Sequence, residues 1–287
     1  MGIFSDVLLT VDYDRTLTAP DSTIPERNIE AIRYFMENGG AFTVNTGRSL
    51  PMAQTFLGKV PVNAPLLLYT GAVGYDAEKK EIAFLHEIQL DLWETVKELM
   101  ELFPDLTVEV QALDKHYDFA PNPAWDAFSA NNCAYGMAQE GQDLGPFLKF
   151  SLYGRITNVH VSCLYEADPE ELARMDKAEA LLRQRFGEHC AIFRAAPKII
   201  DAQVKGVSKA RAARELQDKL DRRILVCVGD AENDEEMLRS ADYGFVPGDA
   251  ILRDRFENVC CCADGAVAEV IYEKIPEILK NHLDKRG

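Results

Sequence analysis

The sequence feature that most constrains the fold is a short apolar run, Val7 to Val11, which ends at two carboxylates, Asp12 and Asp14. Its β-branched residues and unbroken apolar character predict a strand buried on both faces, as in a parallel sheet. Ligands of open parallel sheets bind just outside the carboxyl ends of the strands, where these two acids are expected. An Asp-rich turn that simply closes the strand explains the same residues. Taken alone, the motif favours neither the turn nor a binding site.

The pattern of strand, loop and helix recurs along the chain. A helix with apolar residues at helical spacing is predicted after Pro25, and the Gly39-Gly40 pair ends it. Three such units in a row predict right-handed crossovers and a parallel sheet whose loops share one edge. Further strands of this kind are expected at 41–45, 65–69 and 224–228, followed by Thr46, Thr70 and Asp230.

The middle of the chain has a different texture. It is rich in Pro, Asn and Ala, and an alternating run from Val159 to Cys163 predicts a half-exposed antiparallel strand. A chain of 287 residues is also longer than one hydrophobic core usually supports. We therefore expect two domains, a core of residues 1–82 and 196–287 and an inserted α/β domain of residues 83–195.

Charge and composition disfavour several classes of function. The formal net charge is −16, which argues against nucleic acid and anionic membranes as partners because both favour clusters of Lys and Arg. No apolar run reaches the length of a membrane span. Seven cysteines without the spacing of a zinc site fit a reducing, cytoplasmic compartment. The expected ligand is a small molecule, and the sequence leaves the oligomeric state open.

Polar residues gather at the expected strand ends and at the start of one later helix. They are Asp12, Asp14, Thr46, Lys209, Asp230, Asn233 and Asp234. Aspartate oxygens without His or Cys suit Mg²⁺, which commonly bridges carboxylates to a phosphate. A lysine and a threonine hydroxyl can stabilise the oxygens of a phosphoryl group in transfer. One Asp can attack phosphorus while a second acts as general acid and base. The pattern therefore indicates phosphoryl-group chemistry.

Four segments resemble, in order and spacing, the motifs of the haloacid dehalogenase-like superfamily, specifically its Cof-like hydrolases with a type IIB cap. They are Asp12-Tyr13-Asp14-Arg15-Thr16-Leu17, Asn45-Thr46-Gly47-Arg48, Gly206-Val207-Ser208-Lys209 and Gly229-Asp230-Ala231-Glu232-Asn233-Asp234. The resemblance implies a Rossmann-like three-layer α/β core with a parallel sheet and an inserted α/β cap. It also implies a Mg²⁺-dependent phosphatase acting on a small phosphorylated metabolite, such as a sugar phosphate.

The resemblance implies roles for the catalytic residues. Asp12 is the expected nucleophile, which forms an aspartyl-phosphate, and Asp14 is the expected general acid and base. Thr46 and Lys209 are expected to bind the phosphoryl oxygens, and Lys209 would also offset the charge of Asp12.

The resemblance implies a metal site as well. Mg²⁺ would be held by the Asp12 carboxylate, the backbone carbonyl of Asp14 and Asp230. Asp234 would support the metal-bound waters, and Asn233 would help to orient this group of ligands.

Positions expected near the substrate depart from the family pattern. Arg15 stands where the family usually has Gly, and Thr70 stands before Gly71 where Asn is usual. Arg15 and Arg48 could reach the substrate phosphate or extend into solvent. The candidate substrate-binding residues are Arg15, Arg48, Thr70 and Gly71. Residues of the inserted domain that could line a pocket, or simply pack, are His116, Tyr117, Trp125 and Asn131.

Two other functions are compatible with the same motifs. A phosphotransferase or mutase would pass the aspartyl-phosphate to another hydroxyl without net release of phosphate. A phosphate-responsive regulatory module would bind phosphate without turnover, but such a module has no need of the general acid Asp14. The sequence therefore favours the phosphatase.

Overall fold

A computed structural model describes residues 2–284 of the chain. The strands are β1 (Val7–Val11), β2 (Ala41–Val44), β3 (Leu66–Leu68), β4 (Val73–Asp76), β5 (Glu81–Leu85), β6 (Thr107–Gln111), β7 (His116–Asp118), β8 (Tyr135–Met137), β9 (Lys149–Tyr153), β10 (Cys190–Ala196), β11 (Ile199–Val204), β12 (Ile224–Val228), β13 (Tyr243–Pro247) and β14 (Glu257–Val259). The α-helices are α1 (Glu26–Glu37), α2 (Leu50–Ala53), α3 (Leu92–Leu102), α4 (Pro123–Asn132), α5 (Pro169–Phe186), α6 (Lys209–Lys219), α7 (Glu235–Ser240), α8 (Ala266–Glu269) and α9 (Ile275–Asp284). Within residues 2–284, no helix combines the length and the apolar character needed to cross a bilayer.

The chain folds into two units. Unit 1 comprises Met1–Gly47, Phe56–Leu85 and Ser208–Gly287, and unit 2 comprises Arg48–Thr55 and His86–Val207. Unit 2 is the inserted domain, but the expectation that the core resumes at residue 196 is wrong. Strand β11 pairs antiparallel with both β9 and β10, so it belongs to the inserted sheet. Local sequence could not reveal this, because a short apolar strand looks alike in either sheet.

Unit 1 is built on a parallel sheet with the strand order β14-β13-β12-β1-β2. The side chains of β1, β2 and β12 are buried throughout, which explains their continuous apolar character. Helix α1 packs on β2 and α8, whereas α6 and α7 pack on β12. The three-layer α/β core with a parallel sheet is therefore confirmed.

Strand β3, expected as a further parallel strand, joins this sheet, within residues 2–284, only through a bridge between Asn45 and Leu67. Otherwise it pairs antiparallel with β4 in a separate sheet of order β3-β4-β5. The chain reverses here because Thr70 adopts a left-handed φ of 56° and Gly71 one of 98°. A Cβ on Gly71 would lie 2.6 Å from the Cβ of Ala212 and 2.7 Å from the carbonyl oxygen of Ser208. Gly71 therefore allows this turn to approach the start of α6.

Unit 2 is built on a six-stranded sheet of order β10-β11-β9-β6-β7-β8. Alternation along the strands gives this sheet one apolar and one polar face. Val110, Phe150 and Ile200 lie in the core formed with α3 and α5. The residues of the polar face include Glu109, Gln111, His116, Lys149, Ser151 and Asp201, and all six are buried.

Two expectations for unit 2 have definite outcomes. The strand predicted from Val159 to Cys163 is wrong, because Val161–Leu164 forms a short 3₁₀ turn. The Asn158 side chain accepts a hydrogen bond from the His160 amide, which favours a turn over a strand. Trp125 is a buried packing residue whose ring is tilted by 47° against that of Tyr153, with 4.3 Å between ring centres. The side chain of Asn131 lies outside the described part of the structure.

The packing around Gly71 leads to a prediction about stability. Gly71→Ala should lower the free energy of unfolding by about 2–4 kcal/mol, because the left-handed φ and the clash with α6 both oppose a Cβ. Gly58→Ala is the matched control, since Gly58 has a φ of 84° but a Cβ added there would meet no heavy atom within 4 Å. The control should lose only about 1 kcal/mol in urea unfolding. Equal losses in the two variants would show that α6 absorbs the extra methyl group.

Candidate active site

The first acid of the opening motif is fixed by the parallel sheet. The Asp12 amide donates to the Val228 carbonyl at 2.9 Å, so the pairing of β1 with β12 continues one residue beyond the end of β1. Asp230 follows β12 by two residues and therefore lies at the same edge. This is the carboxyl edge of the sheet, where the sequence predicts the site.

Lys209 is the central charged group at this edge. Its Nζ donates to Asp12 Oδ1 at 2.5 Å and to Asp234 Oδ1 at 2.7 Å, and its side chain is only 1% exposed. Burial alone would lower the pKa of Lys209, but the charges of Asp12 and Asp234 raise it above its ordinary value. The side chain therefore stays protonated and links two carboxylates.

Three buried carboxylates share this site with the Lys209 ammonium. Asp12, Asp230 and Asp234 each present an oxygen within 4.8 Å of the others. Burial raises the pKa of Asp12 to about 8 and that of Asp230 to about 6, and the charge of Asp234 adds to both rises. Ionising all three acids would therefore place more negative charge here than Lys209 can balance. Oxygen ligands without nitrogen or sulfur fit a hard divalent cation such as Mg²⁺.

Asp234 is held firmly by its neighbours. Besides the bond from Lys209, its Oδ2 accepts from the backbone amide of Asp230 at 3.1 Å. A Cβ on Gly229 would lie 2.6 Å from Asp234 Cγ, so the glycine allows this close approach. Asn233, expected to help orient the site, has an exposed side chain and makes no hydrogen bond to the cluster within residues 2–284. Gly229, Asp230 and Asp234 are therefore the residues of the fourth motif that build the cluster.

Thr46 lies in the turn after β2 and belongs to unit 1, which also contains the acidic cluster. Thr46 is buried, its amide donates to Leu67 at 2.9 Å, and its carbonyl accepts from the Thr70 amide at 3.0 Å. Thr46 and Thr70 are thus joined through the backbone, and Gly71 follows directly. Gly71 is buried, and its close contact with the start of α6 is enough to require a glycine here, whether or not the residue binds substrate.

The remaining candidates differ in their surroundings. Asp14 and Arg15 are exposed, and Arg15 adopts a left-handed φ of 59°. Burial raises the pKa of Asp230, and the positive charge of Arg15 opposes part of that rise. Arg15 therefore acts electrostatically on the acidic cluster. Arg48 belongs to unit 2 and is partly exposed.

Two supporting residues belong to the motifs but had no predicted role. Thr16 Oγ1 donates to Asp230 Oδ1 at 3.3 Å, and Asn45 Nδ2 donates to the carbonyl of Lys209 at 2.9 Å. Thr16 thereby connects the first motif to the fourth, and Asn45 fixes the start of α6. Their positions beside Asp14 and Thr46 were the available signal, but sequence does not show where a side chain donates.

The buried ion pairs of Lys209 predict a large effect on stability. Lys209→Met should cost about 3–5 kcal/mol of unfolding free energy in metal-free buffer, because it leaves buried carboxylates without their cation. The control is Lys79→Met, which removes an exposed lysine paired with Asp76 and should change stability little. Chemical unfolding with EDTA present measures both variants. A Lys209→Met protein as stable as the control would show that the carboxylates are neutral without the lysine.

Comparison with known proteins shows which family this chain resembles. The family model described as haloacid dehalogenase-like hydrolase matches residues 9–253. The chain is 22% identical over 251 residues to the 5-amino-6-(5-phospho-D-ribitylamino)uracil phosphatase of Bacillus subtilis, covering 85% of this chain and 87% of the relative. It is 25% identical over 261 residues to an HMP-PP phosphatase of Escherichia coli, covering 87% of each protein.

A solved structure gives the same result for the fold. A haloacid dehalogenase-like hydrolase from Bacteroides thetaiotaomicron superposes with a TM-score of 0.77 at 20% identity, covering 93% of this chain and 98% of the other. The residues matched by the family model contain all four motifs, from Asp12 to Asp234, and most of the two units. The chain therefore belongs to the haloacid dehalogenase-like hydrolases.

Proposed function

We propose that this chain is a Mg²⁺-dependent phosphatase that hydrolyses a small phosphorylated metabolite, such as a sugar phosphate, in the cytoplasm. The observation that carries the proposal is the buried Lys209 ammonium between Asp12 and Asp234, with Asp230 beside them at the carboxyl edge of the sheet. The two relatives named above are phosphatases, which supports the same class of reaction. We propose neither a nucleic acid nor a membrane as a partner.

The proposed reaction has two steps. First, a carboxylate oxygen of Asp12 attacks phosphorus, the bond from phosphorus to the leaving alcohol oxygen breaks, and Asp14 gives that oxygen a proton. Asp14 then takes a proton from water as the water oxygen attacks the aspartyl-phosphate. The bond from phosphorus to the Asp12 oxygen breaks as the water oxygen bonds to phosphorus, so inorganic phosphate leaves and the Asp12 carboxylate is restored. The exposed position of Asp14, two residues after the buried Asp12, suits proton exchange with alcohol and water.

In the proposed reaction, the groups around Asp12 stabilise the negative charge of the phosphoryl oxygens. Lys209 holds the Asp12 carboxylate in place and offsets the charge on the phosphoryl oxygens, and Thr46 donates a hydrogen bond to them. Bound Mg²⁺ would supply further positive charge toward the phosphoryl group, held by Asp12, Asp230 and the backbone carbonyl of Asp14. Asp234 would keep Lys209 and the Asp230 loop in position.

The covalent step predicts the effect of changing Asp12. Asp12→Asn should abolish release of inorganic phosphate from p-nitrophenyl phosphate, because an amide oxygen is a poor nucleophile. Asp221→Asn is the matched control, since Asp221 is exposed and precedes β12, at the opposite edge of the sheet. It should leave the rate unchanged. Wild-type turnover by Asp12→Asn would contradict the covalent mechanism.

The same assay separates the competing functions. EDTA should stop phosphate release, and added Mg²⁺ should restore it. Transfer of the phosphoryl group to an added alcohol, with no net phosphate release, would instead identify a phosphotransferase. Phosphate binding without turnover on a panel of phosphorylated metabolites would identify a regulatory module.

The position of Arg15 predicts an effect on substrate binding. Arg15→Gly should raise the KM for the phosphorylated substrate about fivefold. The positive charge of Arg15 acts on the acidic cluster, and its loss would make that cluster less attractive to the negatively charged phosphate. It should not lower stability, since glycine adopts the left-handed φ of this position without strain. Arg15→Lys, which keeps the charge, is the control and should retain a KM near wild type. An unchanged KM in Arg15→Gly would make Arg15 a surface cation.

A further inference from the structure

Unit 2 contains a thiol that the proposed reaction does not use. The sulfur of Cys133 lies 3.4 Å from His116 Nδ1, and the same nitrogen lies 3.2 Å from Glu109 Oε2. His116 and Glu109 are buried, whereas Cys133 is partly exposed. All three residues belong to unit 2, so the cluster is complete within that unit. A histidine beside a cysteine is one of the arrangements that make a thiol reactive in proteins.

The charge of His116 is set by its neighbours. Tyr153 and Gln111 each donate to Glu109 Oε1 at 3.0 Å, so hydrogen bonds hold the carboxylate in place. Burial alone would lower the pKa of His116, but the Glu109 carboxylate raises it to about 10. His116 is therefore an imidazolium at neutral pH, and both of its ring nitrogens are donors. The proton on Nδ1 is shared between the Glu109 carboxylate and the Cys133 sulfur.

The backbone of unit 2 places the sulfur beside this ring. The Cys133 amide donates to the Ser129 carbonyl at 2.9 Å and so ends helix α4. The His116 amide donates to the carbonyl of Ala134, the next residue along, also at 2.9 Å. Strands β7 and β8 continue from there as a parallel pair, in which His116 lies opposite Tyr135. Main-chain hydrogen bonds on both sides of Cys133 therefore hold the thiol close to the imidazolium.

A second polar group near the thiol has no partner. Trp125, Ser129 and Cys133 follow one another at intervals of one helical turn, along one face of α4. The ring of Trp125 packs against that of Tyr153, and Cys133 contacts His116. Ser129 lies between these contacts, is 1% exposed, and its hydroxyl makes no hydrogen bond within residues 2–284. This buried hydroxyl is available to a molecule that reacts at the thiol.

Cys260 is the contrasting case, because it is also partly exposed but lies beside an acid. Burial raises the pKa of the Cys260 thiol to about 12, and the Glu269 carboxylate adds to the rise. A carboxylate next to a thiol opposes loss of its proton, whereas an imidazolium favours the thiolate, the form that attacks electrophiles. Glu109 offsets part of the charge of His116, so the enhancement expected at Cys133 is moderate.

We propose that Cys133 is a thiol-modification site that reacts with low-molecular-weight disulfides, with His116 stabilising its thiolate. The thiol proton passes to water, because His116 already carries a proton on each ring nitrogen. The thiolate then attacks one sulfur of the disulfide, and a new sulfur–sulfur bond forms as the old one breaks. The other half leaves as a thiolate and takes up a proton, so Cys133 is oxidised and the small disulfide is reduced. This inference does not depend on the proposed phosphatase reaction.

Treatment of the reduced full chain with hydroxyethyl disulfide at pH 7 tests the proposal. Peptide mass spectrometry gives the initial rate of mixed-disulfide formation at each cysteine. Cys133 should react about tenfold faster than Cys260, and the two rates should become similar in urea, where the imidazolium is no longer beside the thiol. Equal rates in the folded protein would overturn the proposal, and so would a difference that persists unchanged in urea.

A histidine variant tests the part played by the imidazolium. His116→Gln keeps an amide donor without the charge and should lower the rate at Cys133 about fivefold, while the rate at Cys260 stays the same. His189→Gln is the matched control, since His189 is an exposed histidine of the same unit, and it should leave the rate at Cys133 unchanged. A wild-type rate in His116→Gln, or an equal fall in both variants, would overturn the proposal. Should His116→Gln fail to fold, the wild-type comparison of Cys133 with Cys260 decides.

Discussion

The charge of Lys209, buried between Asp12 and Asp234, is the interaction on which the candidate site of unit 1 depends. Three carboxylates crowded into a buried site repel one another, and the ammonium is the protein's own compensation. The partners of Lys209 lie 197 and 25 residues away along the chain. They meet only because β1 and β12 are neighbours in the parallel sheet and α6 begins at the same edge. The fold is therefore what makes the cluster possible.

The acids of this site could be predicted because their positions follow from a general rule. Asp12 comes directly after β1 and Asp230 two residues after β12, the burial of both strands is evident from their composition, and parallel strands end at one edge of a sheet. Lys209 could be predicted because Ser208 is a good N-cap and places the lysine in the first turn of α6. Family resemblance added roles to residues already gathered by the topology.

The rest depended on pairings that leave no local trace. The six residues Ile199–Val204 read equally well as a strand of either unit, and only pairing with β9 and β10 assigns them. The left-handed backbone at Thr70, which turns β3 away from the parallel sheet, is uncommon for a threonine and had no sequence signal. His116 could be suspected of packing or of lining a pocket, but its bond to Ser49 joins positions 67 residues apart.

The two faces of the inserted sheet are under different demands. The face with Val110 and Phe150 packs against helices, so apolar area there contributes directly to stability. The opposite face buries two ion pairs, His116 with Glu109 and Lys149 with Asp201, the latter at 2.5 Å. Apolar residues would satisfy burial on that face without the desolvation cost of four charged groups. Removing one member of either pair would leave its partner charged and buried, so these pairs restrict the substitutions that this face tolerates. The restriction extends to Ser49, whose hydroxyl lies 2.7 Å from His116 Nε2, because an apolar residue at position 116 would leave that buried hydroxyl without this partner.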